Sequence, residues 1–221
     1  MRFINRRDAG KRLATRLKEY AGARDVIVLA LPRGGVPVAF EIASALSAPL
    51  DVFLVRKLGV PGHAELAMGA IAERDVEVLN HELIDGLGIP AAQVRHVATR
   101  ERLELERRGL LFREGREPLD LNGRTVILVD DGLATGATME AAVAAVRHHT
   151  PARVLVAVPV GSREACVRLG RLADAVVCLD MPEPFEAVGC WYDEFDQTSD
   201  EEVIRLLTSS GPPPQDAGKV H

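Results

Sequence analysis

The chain is poor in several residue classes, and each shortage narrows what it can be. Its 221 positions hold nine aromatic residues (6 Phe, 2 Tyr, 1 Trp) and three cysteines. Cys166, Cys178 and Cys190 are too few and too far apart for a zinc site or a disulfide framework, and they read as reduced thiols in or near the core. No apolar run approaches the ~20 residues that a membrane-spanning helix needs. The basic stretch at residues 1–17 is not followed by the apolar segment of a secretory leader. A cytoplasmic protein with no membrane partner is therefore expected. Excess positive charge is also missing: the formal net charge is −5, so no nucleic-acid partner is expected. A small anion stays possible, because it needs only a local site of N–H groups and a few cations. The run G-x-x-x-x-G-K-[ST] is absent, which removes the common nucleotide-hydrolase loop.

The chain does have enough apolar material for a core, with 47% hydrophobic and 27% charged residues. Asp8 is placed to cap a helix with Ala9, Leu13, Leu17 and Tyr20 on its apolar face. Residues 26–31 form an apolar strand that breaks at Pro32-Arg33-Gly34-Gly35. A helical pattern follows through Val38, Ile42 and Leu46, and then a short strand at residues 52–55. Residues 56–67 read as a polar loop punctuated by Gly59, Pro61 and Gly62. Residues 70–72 and 76–79 are spaced for a hairpin. Residues 91–115 are helical and densely charged, either a solvated helix with ion pairs, or a subunit contact or an arm over the site. A second strand–helix–strand unit runs through residues 125–129, 137–146 and 154–158. A helix over 163–172 and a strand at 175–179 follow. Strands that are apolar without alternation belong to a parallel sheet covered on both faces. The expected fold class is α/β, a doubly wound parallel sheet. We expect one domain over residues 1–208, with an insertion at about 63–115 and a closing segment at about 180–208. Residues 209–221, which include Pro212–Pro214, read as a disordered tail.

One stretch carries chemistry. In residues 126–138, VILVDDGLATGAT, four apolar residues bury a strand, and Asp130 and Asp131 emerge at its carboxyl end. Thr135, Gly136, Ala137 and Thr138 then form a tight loop at a helix N-terminus, which offers N–H groups, hydroxyls and the positive end of the helix dipole. Acids beside an anion site suit a sugar phosphate: the carboxylates accept from ribose hydroxyls, and the loop holds the phosphate.

This stretch resembles the thirteen-residue signature of type I phosphoribosyltransferases. The resemblance implies that Asp130 and Asp131 bind the ribose hydroxyls of phosphoribosyl pyrophosphate, that Thr135, Gly136, Ala137 and Thr138 hold its 5′-phosphate, and that Ala134 also lies among the substrate-binding residues. Leu31-Pro-Arg-Gly-Gly35 is similar to the family's pyrophosphate loop: Arg33 supplies charge, and Gly34 and Gly35 let the backbone approach. Arg56-Lys57 is similar to the arginine–lysine pair that opens the mobile catalytic loop of orotate enzymes, though two surface cations would look the same. The family also implies Mg²⁺ on the pyrophosphate and ribose oxygens, with Asp130, Asp131 and Asp193 nearby. A closing loop over residues 57–68 and a homodimer are implied as well.

The acceptor is less legible. Hypoxanthine–guanine enzymes carry an acid where this chain has Ala134. Adenine enzymes have Leu-Ala-Thr-Gly in this loop, as here at Leu133–Gly136, and place an acid in the mobile loop. Glu65 is the candidate for that acid, with Lys57 beside it in catalysis, although Glu65 also reads as a surface acid. Residues 184–193, PFEAVGCWYD, resemble the purine-stacking hood: Phe185 would stack on the base and Val188 would offer backbone groups. Trp191 reads equally as core or as a stacking residue. Two functions remain open. One is transfer of the phosphoribosyl group to a small nitrogenous, purine-like acceptor. The other is a non-catalytic or regulatory binder of phosphoribosyl pyrophosphate or a nucleotide.

Overall fold

The computed structural model describes residues 1–73 and 76–210, and residues 64 and 65 by backbone alone. Five parallel strands form the main sheet: β1 (Val26–Ala30), β2 (Leu50–Val52), β6 (Thr125–Val129), β7 (Arg153–Val160) and β8 (Ala175–Asp180), in the order β2-β1-β6-β7-β8. β1 and β6 are buried along their whole length and pair in register, Val28 opposite Ile127. Alternate residues of these strands feed two cores. Val26, Val28, Ala30, Ile127 and Val129 pack with α1 (Arg6–Arg16), α2 (Gly35–Leu46) and α7 (Asp200–Ser209). Ile27, Leu29, Val126 and Leu128 pack with α5 (Ala137–Arg147) and α6 (Arg163–Leu169). Both faces are thus covered, which is why the strands read as continuous apolar runs.

A second sheet is antiparallel, in the order β3-β4-β5, from β3 (Val55–Val60), β4 (His63–Ala72) and β5 (Val76–Leu79). It corrects the expected loop at residues 56–67. Pro61 and Gly62 are the turn of a hairpin, with Gly62 at φ +80°, and Gly59 marks a break in register. Leu58, Val60 and Met68 are buried while Lys57 and His63 face outward, and Gly and Pro at the turn had hidden that pattern. The mobile loop expected at residues 57–68 is therefore mostly strand. Glu65 falls in β4, and its side chain lies outside the described residues.

Smaller corrections follow from local chemistry. Asn5, not Asp8, caps α1 by accepting from the Asp8 N–H, while Asp8 reaches back to the Ile4 N–H. The second strand ends at Val52 and β3 starts at Val55. α6 ends at Leu169 rather than 172. Neither α3 (His81–Gly86) nor α7 was expected. Ser209 closes α7, and the expected disordered tail beyond residue 210 lies outside the described residues.

The charged segment is one helix, α4 (Ala91–Arg113). Glu104 pairs with Arg107 and Arg108 at its surface, as a solvated helix would. Its inner face is anchored differently. The buried Arg113 guanidinium meets Asp51 at 2.9 Å and Glu73 at 2.7 Å, and donates to the Val52 carbonyl at 2.7 Å. Glu73 in turn accepts from the Leu54 N–H. Burial pushes the Glu73 carboxyl up, and Arg113 pulls it back only in part. No helix among the described residues is long and apolar enough to cross a membrane.

Candidate active site

Two loops at the carboxyl end of the sheet make the site. β1 runs into Leu31–Gly34, where the Pro32–Arg33 peptide is cis, and α2 begins at Gly35. β6 runs into Asp130–Gly136, and α5 begins at Ala137. The loops fit against each other closely. A Cβ on Gly34 would lie 2.0 Å from Asp131 Oδ2, and one on Gly35 would lie 2.6 Å from the Val129 carbonyl oxygen. Only glycines allow this approach.

The acid pair sits in a partly buried position. Burial, and then the neighbouring Asp131 charge, pushes the Asp130 carboxyl well above the usual carboxylate range. Burial also raises Asp131, and Arg6 opposes it. Arg6 Nε donates to Asp131 Oδ2 at 2.8 Å, and the guanidinium lies 3.9 Å from the centroid of the Phe195 ring. The Tyr192 hydroxyl donates to the Asp131 carbonyl at 2.6 Å, and its ring stacks on Phe195. Arg6 and Phe195 were missed by sequence reasoning, and Tyr192 was read only as part of the hood segment at residues 184–193. An arginine at the start of a helix and a lone phenylalanine carry no local pattern.

The loop at the N-terminus of α5 is open. Ala134, Thr135, Ala137 and Thr138 are exposed, and Gly136, at φ +78°, caps α5. Arg168 of α6 fastens the loop from behind: it donates to the Thr135 carbonyl and pairs with Glu140 at 2.9 Å. Ser162 Oγ donates to the Ala134 carbonyl at 2.7 Å.

The remaining expected residues divide. Arg33 stands at the loop but lies 3.5 Å from Asp200 of α7. Arg56 is held by Glu101 of α4, at 2.6 and 2.9 Å. Lys57 lines a cavity of about 320 Å³ together with Ala137, Thr138, Val78 and Asn80. Val188 reaches the signature, since a Cβ on Gly132 would lie 2.5 Å from its Cγ1. Phe185 and Trp191 pack against Phe3, Ala9, Val160 and Tyr192, which places Trp191 with the core. Asp193 is drawn to Arg2 at 3.2 Å. The described residues hold no group of three or more carboxylate, histidine or cysteine side chains that could bind a metal by themselves. Asp193 is thus not gathered with Asp130 and Asp131 into one such group. Cys166 and Cys178, far apart in sequence, both approach Gly161, and all three cysteines are free thiols.

A parallel five-stranded sheet with an acid pair and a glycine loop at its carboxyl edge is the architecture of a sugar-phosphate transferase domain. The family model of the phosphoribosyl transferase domain matches residues 4–193, and the chain belongs to that family. The crystal structure of TT1426 from Thermus thermophilus is 44% identical and superposes with a TM-score of 0.85, covering 96% of this chain and 100% of that one. Rv0571c of Mycobacterium tuberculosis, named provisionally as a phosphoribosyl transferase, is 50% identical over 205 residues, 93% of this chain and 46% of that protein. The chain thus spans about half the length of that relative. The bifunctional protein PyrR of Chloroflexus aurantiacus is 36% identical over 141 residues, 62% of this chain and 71% of that one.

Proposed function

We propose that the protein transfers the 5-phosphoribosyl group of phosphoribosyl pyrophosphate to a ring nitrogen of a small base, with a purine-like acceptor favoured. The observation that carries this reading is the interlock of the two loops. It sets two part-buried carboxylates, short of compensating charge, between a glycine-lined backbone turn and an open helix N-terminus. Carboxylates in that state gain most from hydroxyl donors, so a ribose diol suits them. The α5 N-terminus suits the 5′-phosphate, and the Arg33–Gly35 turn suits the pyrophosphate. In the reaction the C1–oxygen bond to pyrophosphate breaks and a C1–nitrogen bond forms. Positive charge grows on the sugar ring beside Asp130 and Asp131, while negative charge grows on the leaving group.

Mg²⁺ fits as an ion held mainly by substrate oxygens, with Asp130 and Asp131 as its protein neighbours, and would offset charge on the pyrophosphate. Lys57, on the wall beside Thr138, fits a role near the donor. Glu65 keeps its place as the candidate acid for the base. Val188 against Gly132 supports a closing segment above the acceptor. Cytoplasmic residence and a homodimer belong to the same reading.

A second reading, a non-catalytic sensor of the same ligand, is favoured by the absence of an acid at Ala134 and by the grip of Arg6 on Asp131. Incubation with phosphoribosyl pyrophosphate and Mg²⁺, across purines, pyrimidines and other amines, separates the two. Pyrophosphate release with one class of acceptor is expected. Ligand binding without release for any acceptor would overturn the transferase and leave the sensor.

A further inference from the structure

Helix α4 carries charge on two distinct faces. Glu101, Leu105, Arg108 and Phe112 recur at intervals of four, three and four, which stacks them on one side of a helix. That side faces the protein: Glu101, Leu105 and Phe112 are all buried. Arg108 lies at the edge of that side, with 36% of its side chain exposed, while Arg107 is turned outward at 60%. Both bind the same carboxylate, Glu104, at 2.8 Å.

Arg108 lines a narrow cleft whose other walls include Pro32, Arg56 and Thr138. These residues belong to the glycine turn, the strand after β2 and the mouth of α5. The cleft is thus the point where the helix meets both substrate loops. Its two arginines, Arg56 and Arg108, are each held by a glutamate that a more exposed arginine shares: Glu101 also meets Arg100, and Glu104 also meets Arg107. The carboxylate fixes the direction of each guanidinium, and a guanidinium has five N–H donors, more than its glutamate takes.

We propose that α4 supplies Arg108, acting with Arg56, as a binding group for the diphosphate end of the sugar donor. The inference rests on the transferase site described above and assigns a function to the charged helix. A diphosphate presents several oxygens to which a guanidinium can donate in pairs, and a fixed fork loses little freedom on binding. Arginines placed at the leaving group also stabilise the charge that develops there.

Calorimetric titration of the intact protein tests this, using three probes with Mg²⁺: phosphoribosyl pyrophosphate, inorganic pyrophosphate and ribose 5-phosphate. Arg108→Gln should weaken the first two by on the order of 10- to 100-fold, the worth of a hydrogen bond to a charged group, and leave ribose 5-phosphate unchanged. Arg107→Gln, which loses the same glutamate partner, should change none of them. Arg108→Lys should fall between, since it keeps the charge and loses the fork. Equal affinities for the Arg108 and Arg107 variants, or an equal loss for ribose 5-phosphate, would overturn the proposal and leave the transferase reading standing. Failure of the unaltered protein to bind any of the three would overturn both.

Discussion

Replacing Arg113 by methionine probes what fastens α4 to the body of the protein. Arg113, Asp51 and Glu73 are each only 6% exposed. Methionine keeps most of the volume but leaves two carboxylates buried without a cation. Breaking a buried pair in this way costs about 3–5 kcal/mol. For a domain of this size each kcal/mol moves Tm by roughly 2–4 °C, so a fall of about 6–20 °C is expected. The effect should depend on pH. Burial already raises the Glu73 carboxyl, and Arg113 opposes the rise, so its removal lifts that carboxyl further. A carboxyl raised above its unfolded value of about 4.3 brings no penalty below that pH. Stability is lost as pH climbs through the folded value. The deficit of Arg113→Met should accordingly be larger at about pH 8 than at about pH 5.5. Urea unfolding followed by circular dichroism at the two pH values measures it. The triple change Arg113→Met, Asp51→Asn and Glu73→Gln should recover most of the loss, because no buried charge remains. A deficit under about 1 kcal/mol, or one that does not vary with pH, would refute the account of the cluster.

Two further outcomes follow from the site. Asp130→Asn removes charge from a position where burial disfavours it, so Tm of the protein without ligand should rise. Affinity for phosphoribosyl pyrophosphate should fall at least tenfold, and an unchanged affinity by titration would mean that the ribose assignment is wrong. Arg168→Ala removes the tie between α6 and the Thr135 carbonyl. Ribose 5-phosphate should then bind several-fold more weakly, with little change in Tm because Arg168 is half-exposed. Equal binding would show that the loop holds its shape without that arginine.

The sheet strands were legible because burial on both faces leaves an unbroken apolar run, as at β1 and β6. The signature was legible because its parts are contiguous: acids, the Thr135–Thr138 loop and the helix start fall within thirteen residues. What failed was anything set by partners distant in sequence. The β3–β4 hairpin was read as a loop because Gly59, Pro61 and Gly62 outweighed a weak alternation. Arg6 reaches Asp131 across 125 positions, and Arg168 reaches Thr135 across 33. Neither has a spacing rule to reveal it. Arg56 was singled out as a cation near the site, yet its partner Glu101 lay in a helix read mainly as a solvated surface.

The contact between Gly34 and Asp131 has a consequence for protein engineering. The side chain of one loop occupies the space that any side chain on the other would need, although nearly a hundred residues separate them. The two loops behave as a single moulded part delivered in two pieces. Recombination between relatives that exchanges residues 126–138 alone would mismatch the mould unless the Pro32–Gly35 turn travels with it. On the proposed reading, new acceptor specificity is more safely sought around Phe185 than at Val188, which packs on Gly132 of the same stretch.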